Sequence, residues 1–171
     1  ADGKTRFLLI ARMLWDKGVG EYVAAARQLR QQHPNAVFQL LGECGVPNPS
    51  VISREQMAKW ELEGVIEYLG TTTDVRPYMA QADCLVLPSY REGISRTLLE
   101  AAAMGKPLIA SDAPGCRDVV VDGETGWLCP IRDAAALADC MRQLLAMPPA
   151  ERQAMGMAGR RFIEQNFDEQ K

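Results

Sequence analysis

The chain has 171 residues, 47% of them hydrophobic and 24% charged, with a formal net charge of -3. That length suits one domain with a substantial core, and the balance excludes a disordered, collagen-like or coiled-coil chain. The slight acidity excludes a bulk polyanion binder, although a few basic residues can still gather on one phosphate.

Residues 6–11, Arg6 through Ala11, are a continuous apolar run of strand length, as in a parallel strand covered on both faces. After a glycine-bearing loop, Val19, Tyr22, Val23, Ala26 and Leu29 recur at helical spacing. Residues 36–42 read as a second strand. Ser53-x-x-Gln56 has capping-box spacing and opens a helix to about Glu63, followed by a strand over 65–69. Asp74 is expected to cap a short helix through Met79. Residues 83–88 are a buried strand stopped by Pro88, and 98–104 an Ala/Leu-rich helix with its first turn near Ser95 and its end at Gly105. A strand over 106–111, a short helix over 116–121, a short strand over 126–129 and helices over 133–146 and 149–167 follow.

Strands alternating with helices specify βαβ units, so the predicted fold is α/β, a Rossmann-like open parallel sheet with helices on both faces. No internal linker or low-complexity tract divides it. The five cysteines, Cys44, Cys84, Cys116, Cys129 and Cys140, are widely spaced, lack Cys-x-x-Cys, and have only His33 to complete a metal set. They read as free buried thiols in a reducing compartment. No apolar run approaches the ~20 residues that a spanning helix needs.

In an open parallel sheet, ligands bind outside the carboxyl ends of the strands, near a switch point in strand order. The loops after the strands are 12–20, 42–50, 70–74, 89–97 and 111–117, and they should share one edge. The richest segment, 88–105, leaves a buried strand, crosses a glycine-bearing loop and enters a helix near Ser95. The free N–H groups and positive dipole end of such a first turn suit a phosphate. Glu100, one and a half turns in, can accept from both hydroxyls of a ribose, while Glu92 on the preceding loop reaches another part of the same ligand. Spacing alone fits equally well a solvated loop acid and a helix-dipole acid. A dinucleotide oxidoreductase would carry G-x-G-x-x-G directly after the first strand. The nearest run, Gly18-Val19-Gly20-Glu21-Tyr22-Val23, lacks the third small residue and lies farther from the strand, and a P-loop is absent.

With Glu92 and Glu100 separated by seven residues, the chain resembles the retaining glycosyltransferases of family 4. Their two-domain GT-B fold places this motif in the C-terminal, nucleotide-sugar-binding domain. The resemblance covers essentially the whole chain: 10–18 looks like the family's first strand and loop, Gly70 with Asp74-Val75 and then 82–89 like the approach to the glutamates, and 105–111 and 122–128 like the blocks that follow. It implies that residues 1–171 are a donor nucleotide-sugar-binding domain, inactive by itself, with the N-terminal acceptor domain outside this chain. The wording of 12–22, with Tyr90-Arg91-Glu92-Gly93 and Arg96, is most similar to bacterial surface-polysaccharide and lipid-linked oligosaccharide enzymes. Several of those move N-acetylhexosamines from UDP to a lipid-diphosphate acceptor.

Carried over position by position, the resemblance makes Glu92, Arg12 and Lys17 the catalytic set, with the Arg/Lys pair on the diphosphate and Glu92 on the sugar hydroxyls. The backbone of Gly93, Ile94 and Ser95 should contact sugar and phosphate, the N–H groups through Thr97 the diphosphate, Glu100 the ribose, and the turn Gly70-Thr71-Thr72 the base. Arg96 has two readings, a further diphosphate contact or an ion pair with an acid. Trp15 also has two, a wall of the donor cleft or a cover over the domain edge. Ile94-Ser95-Arg96 departs from the Thr-Pro-Arg or Phe-Gly frequent in the family, which leaves the donor sugar open. Breaking the bond to UDP builds negative charge on the leaving diphosphate. The chain has no Asp-x-Asp, so fixed donors rather than a divalent metal or other cofactor are expected, Arg supplying a planar fork and Lys a point charge. The implied partners are the nucleotide-sugar donor, the N-terminal domain and a lipid-linked or saccharide acceptor, with no nucleic acid. The implied location is cytoplasmic, at the inner face of the plasma membrane. A different class remains open, a noncatalytic nucleotide-binding or assembly module of the same fold.

Overall fold

The computed structural model describes residues 2–167. Six strands, β1 (Thr5–Ile10), β2 (Ala36–Leu41), β3 (Glu67–Tyr68), β4 (Cys84–Leu87), β5 (Leu108–Ser111) and β6 (Gly126–Cys129), pair in the order β3-β2-β1-β4-β5-β6. Every pairing is parallel. The helices are α1 (Val19–Leu29), α2 (Arg54–Glu63), α3 (Arg76–Gln81), α4 (Arg96–Ala103), α5 (Ala134–Ala146) and α6 (Pro149–Asn166). This is the Rossmann-like α/β sheet that the alternation of runs predicts.

Each central strand is apolar on both sides because both faces are covered. In β1, Phe7 and Leu9 join one core while Leu8 joins the other, the period-two alternation of a strand. The first core takes the buried faces of α1, α2 and α5; the second takes α4 and the end of α3. Helix α6 contributes to both, Met155 to the first and Ile163 to the second. All five cysteines are buried and free, as their spacing implied.

Local signals set several boundaries. Ser53 Oγ accepts the Gln56 N–H at 3.0 Å to start α2, and Asp133 Oδ1 accepts the Ala136 N–H at 2.9 Å to start α5. Three expectations need correction. The strand expected over 65–69 shrinks to Glu67–Tyr68, because it is an edge strand paired only with β2, and Val65 and Ile66 turn into the core instead. Asp74 does not cap α3: the helix begins at Arg76 behind Val75, and the Asp74 carboxylate instead takes the Arg76 N–H and guanidinium. Residues 116–121 form successive turns rather than a helix, with Ala113 and Cys116 carbonyls each accepting two N–H groups. The Val119-Val120-Val121 run disfavours a helix, and Val121 N–H is already bonded to Thr125 Oγ1.

The strand order also fixes where ligands can enter. The chain builds outward from β1 through β2 to β3, then returns to β4 on the other side of β1. The loops leaving β1 and β4 therefore diverge, which opens a crevice between them.

Candidate functional site

Two close approaches bring those loops together. Gly18 has φ +76°, and a Cβ there would overlap the Pro88 carbonyl oxygen, so a glycine is needed for the start of α1 to close onto the end of β4. The Tyr90 N–H donates to the Asp16 carbonyl at 2.9 Å, a second tie between the same loops. Between them lies a pocket of about 240 Å³ lined by Ile10, Ala11, Arg12 and Lys17 from one side and Leu87, Glu92, Ile94, Ser95, Arg96 and Thr97 from the other.

The pocket's polar groups are arranged for an anion beside a hydroxyl-bearing group. Lys17 Nζ donates to Glu92 Oε2 at 2.6 Å, and Ser89 Oγ lies 2.8 Å from the same oxygen. Oε1 of Glu92 has no partner among the described residues. Arg12 and Arg96 have neither an ion pair nor a side-chain hydrogen bond there, so the ion-pair reading of Arg96 is not realised. Ser95 is 5% exposed and caps α4, its Oγ accepting the Leu98 N–H at 3.2 Å. The Arg96 and Thr97 N–H groups are left without an acceptor among the described residues, at the positive end of the helix dipole.

The other predicted residues flank this pocket. Gly93 is exposed on the same loop. Glu100 lies outside it on α4, exposed, without a side-chain hydrogen bond among the described residues, and close enough to Arg76 for their charges to interact. Gly70, at φ +82°, belongs to a second hollow of about 440 Å³ with Thr71, Tyr68, Glu43, Cys44 and Arg54. Thr72 lines neither, since its Oγ1 accepts the Asp74 N–H at 3.1 Å and steadies the turn. Trp15, 39% exposed, meets Trp60 edge-on at 5.6 Å, packs on Gly20 and lines neither hollow.

Sequence reasoning missed the support beneath Glu92. Gly115 has φ +86°, and a Cβ there would overlap the Gly93 carbonyl oxygen and lie 2.6 Å from that of Glu92, so the loop after β5 forms a floor under the Glu92-Gly93 backbone. Ser111 Oγ donates to the Ser89 carbonyl within the same floor. Pro114-Gly115 announces a turn but not a close approach from across the sheet. Burial first, and the Glu92 charge further on, push the Cys116 thiol up to about 11, so it stays protonated there. Among the described residues no three His, Cys, Asp or Glu side chains cluster as metal ligands.

The sheet order and the pocket at its switch point define a Rossmann-like α/β domain. More particularly, the chain belongs to the glycosyl transferases group 1 family, whose model matches residues 4–147. It is 34% identical over 168 residues to a glycogen synthase of Mycobacterium tuberculosis, covering 97% of this chain and 40% of that protein. It is 35% identical over 144 residues to the N,N'-diacetylbacillosaminyl-diphospho-undecaprenol alpha-1,3-N-acetylgalactosaminyltransferase of Campylobacter jejuni, covering 84% and 36%. The solved structure of Anabaena HepE in complex with UDP matches with a TM-score of 0.84 at 22% identity, over 97% of this chain and 45% of that one, a likeness of fold. The chain thus spans 40% and 36% of the length of these two curated relatives.

Proposed function

We propose that this chain is the donor-binding domain of a retaining glycosyltransferase that moves an N-acetylhexosamine from UDP to a lipid-linked or saccharide acceptor in bacterial surface-glycan synthesis. The observation that carries this reading is the convergence of Arg12, Lys17, Arg96 and the free N–H groups of Arg96 and Thr97 on one pocket at the switch point, with Glu92 in its wall. As the bond to the leaving diphosphate breaks, negative charge grows on oxygens held by these fixed donors, which need no reorganisation at that moment. No divalent metal is required for that stabilisation. Oε1 of Glu92 accepts from a sugar hydroxyl, Glu100 from the ribose, and the base lies towards the hollow beside Gly70.

The acceptor site belongs to an N-terminal domain beyond this chain, at the cytoplasmic face of the membrane. Retention at the anomeric carbon, with the leaving phosphate oxygen taking the acceptor proton, follows the family. No helix among the described residues is long and apolar enough to cross a membrane. The name of the Campylobacter relative supports an N-acetylhexosamine and a lipid-diphosphate acceptor, whereas the similarly identical glycogen synthase keeps other sugars in contention.

Saturation-transfer NMR of the chain against UDP-, GDP- and ADP-sugars, with and without EDTA, tests the proposal. UDP-N-acetylhexosamines should give the strongest transfer, unchanged by EDTA. Preference for an ADP-sugar would sink the donor assignment, and loss of signal in EDTA would sink the metal-free one. A noncatalytic nucleotide module would instead bind UDP as well as any UDP-sugar.

A further inference from the structure

The Glu92 loop has a second attachment, on the side away from α4. Tyr90, two residues before Glu92, reaches the face of the sheet covered by α1 and α5, where its hydroxyl donates to Glu21 Oε2 at 2.8 Å. The Arg132 guanidinium carbon sits 4.7 Å from the centre of the same ring, as a cation over a π-face. Three separate pieces of chain therefore meet on one phenol: the first turn of α1, the loop after β4 and the loop after β6.

Two features of this meeting point cost free energy. Arg132 has φ +55°, the only non-glycine residue with positive φ among the described residues. Oε1 of Glu21 is buried without a hydrogen-bond partner. Strained backbone and orphaned polar atoms persist where the surrounding structure has something to hold in place. What is held here is a loop without regular secondary structure whose Glu92 faces the pocket. Neither Tyr90 nor Arg132 lines that pocket, so neither is placed to touch the ligand.

We infer that Tyr90 is a positioning residue, gripped by Glu21 and Arg132, that sets the stance of Glu92 in the pocket; its effect on ligand rests on the donor-binding reading above. The tether acts chiefly on the sugar end of the donor, because it sits two residues from Glu92, and reaches the diphosphate end only through the Lys17–Glu92 ion pair. Loosening it should therefore weaken the sugar's contribution to binding more than that of UDP.

Two measurements on the chain separate the tether from the donor reading. Hydrogen exchange of the unliganded chain should show amides 91–95 opening about tenfold faster in Tyr90→Phe, the loss of one hydrogen bond to a charged group, with α1 and α5 unchanged. Calorimetry with UDP and UDP-GalNAc should show the preference for the sugar nucleotide falling about three- to tenfold, with a smaller change in affinity for UDP itself. Arg132→Gln should act in the same direction more weakly, and Arg132→Lys, which keeps a cation over the ring, should restore the wild-type values. Unchanged exchange in Tyr90→Phe overturns the tether. Faster exchange with an unchanged preference reduces Tyr90 to a structural role and overturns the inference as well. A wild-type chain that binds UDP but gains nothing from the sugar defeats the donor reading, whereas the exchange result still decides the tether.

Discussion

Arginines at the carboxyl edge of the sheet are treated differently from those elsewhere. Away from that edge, Arg6 pairs with Asp2, Arg27 and Arg30 share Glu63, Arg142 pairs with Asp139 and Arg160 with Glu164. Arg152 gives its N–H groups to the Leu144 and Leu145 carbonyls and the Thr5 hydroxyl. On the loops and first helical residues at the carboxyl edge, Arg12, Arg54, Arg91, Arg96 and Arg132 have no ion pair or side-chain hydrogen bond among the described residues, and among the arginines only Arg76 and Arg117 have a carboxylate partner. Arg161 on α6 is the exception on the other side. Away from that edge nearly every arginine is thus committed to a partner, and at it most are not, with Lys17 the edge cation that is paired. Uncommitted donors, rather than the number of charges, distinguish the site from the surface.

Predictions follow from this contrast. The largest effect should come from Lys17→Ala or Arg12→Ala, each lowering UDP affinity by about 2–3 kcal/mol through loss of a charge-assisted contact, whereas Arg27→Ala should leave it unchanged. Equal affinities in all three variants by calorimetry would erase the distinction between edge and surface. Gly115→Ala should cost about 2 kcal/mol in thermal or denaturant unfolding, from positive φ and the overlap with the Gly93 carbonyl, and should displace Glu92. A variant of wild-type stability would mean that the floor under Glu92 is not needed. Glu100→Gln should weaken a ribonucleotide by about 1 kcal/mol and its 2′-deoxy analogue less; equal losses would remove Glu100 from the ribose.

The smallest effect concerns pH. Burial, and then the Glu21 carboxylate, push the Tyr90 hydroxyl up to about 12, above its ordinary value of 10.0. The folded state therefore favours the neutral phenol, and that contribution to stability is complete below pH 10.0 and disappears as pH rises towards about 12. Tyr22 and Tyr68 are also shifted upward, so the informative quantity is the difference between wild type and Tyr90→Phe. Alkaline unfolding should be steeper in the wild type; coincident curves would contradict the shielding of Tyr90.

The parts legible in the sequence share a physical property: their causes are local. Apolar runs such as 6–11 and 83–88 mark strands, and Ser53, Ser95 and Asp133 mark helix starts because each side chain bonds an N–H three residues on. The turn at Ser95 was readable as a candidate site because loops after parallel strands must share an edge, whereas Arg12 and Lys17 were singled out by the resemblance to a family and not by their spacing. The shortness of β3 was not readable, since four apolar or neutral positions around Glu67 cannot reveal that a strand has a neighbour on one side only. Gly115, Tyr90 and Arg132 were equally hidden, because their partners lie on other loops and helices and only the folded backbone brings them together.

The Lys17–Glu92 contact has a further consequence on the donor-binding reading. An empty pocket with a bare lysine would capture any small phosphate in solution. With Lys17 held at 2.6 Å from Glu92, an inorganic phosphate reaching that ammonium also confronts a carboxylate and finds nothing to offer it. A sugar nucleotide brings an anion for the lysine and a hydroxyl donor for the glutamate in one molecule. At Lys17 the ion pair therefore favours ligands that carry both chemistries, and a lone anion is left to Arg12, Arg96 and the first turn of α4.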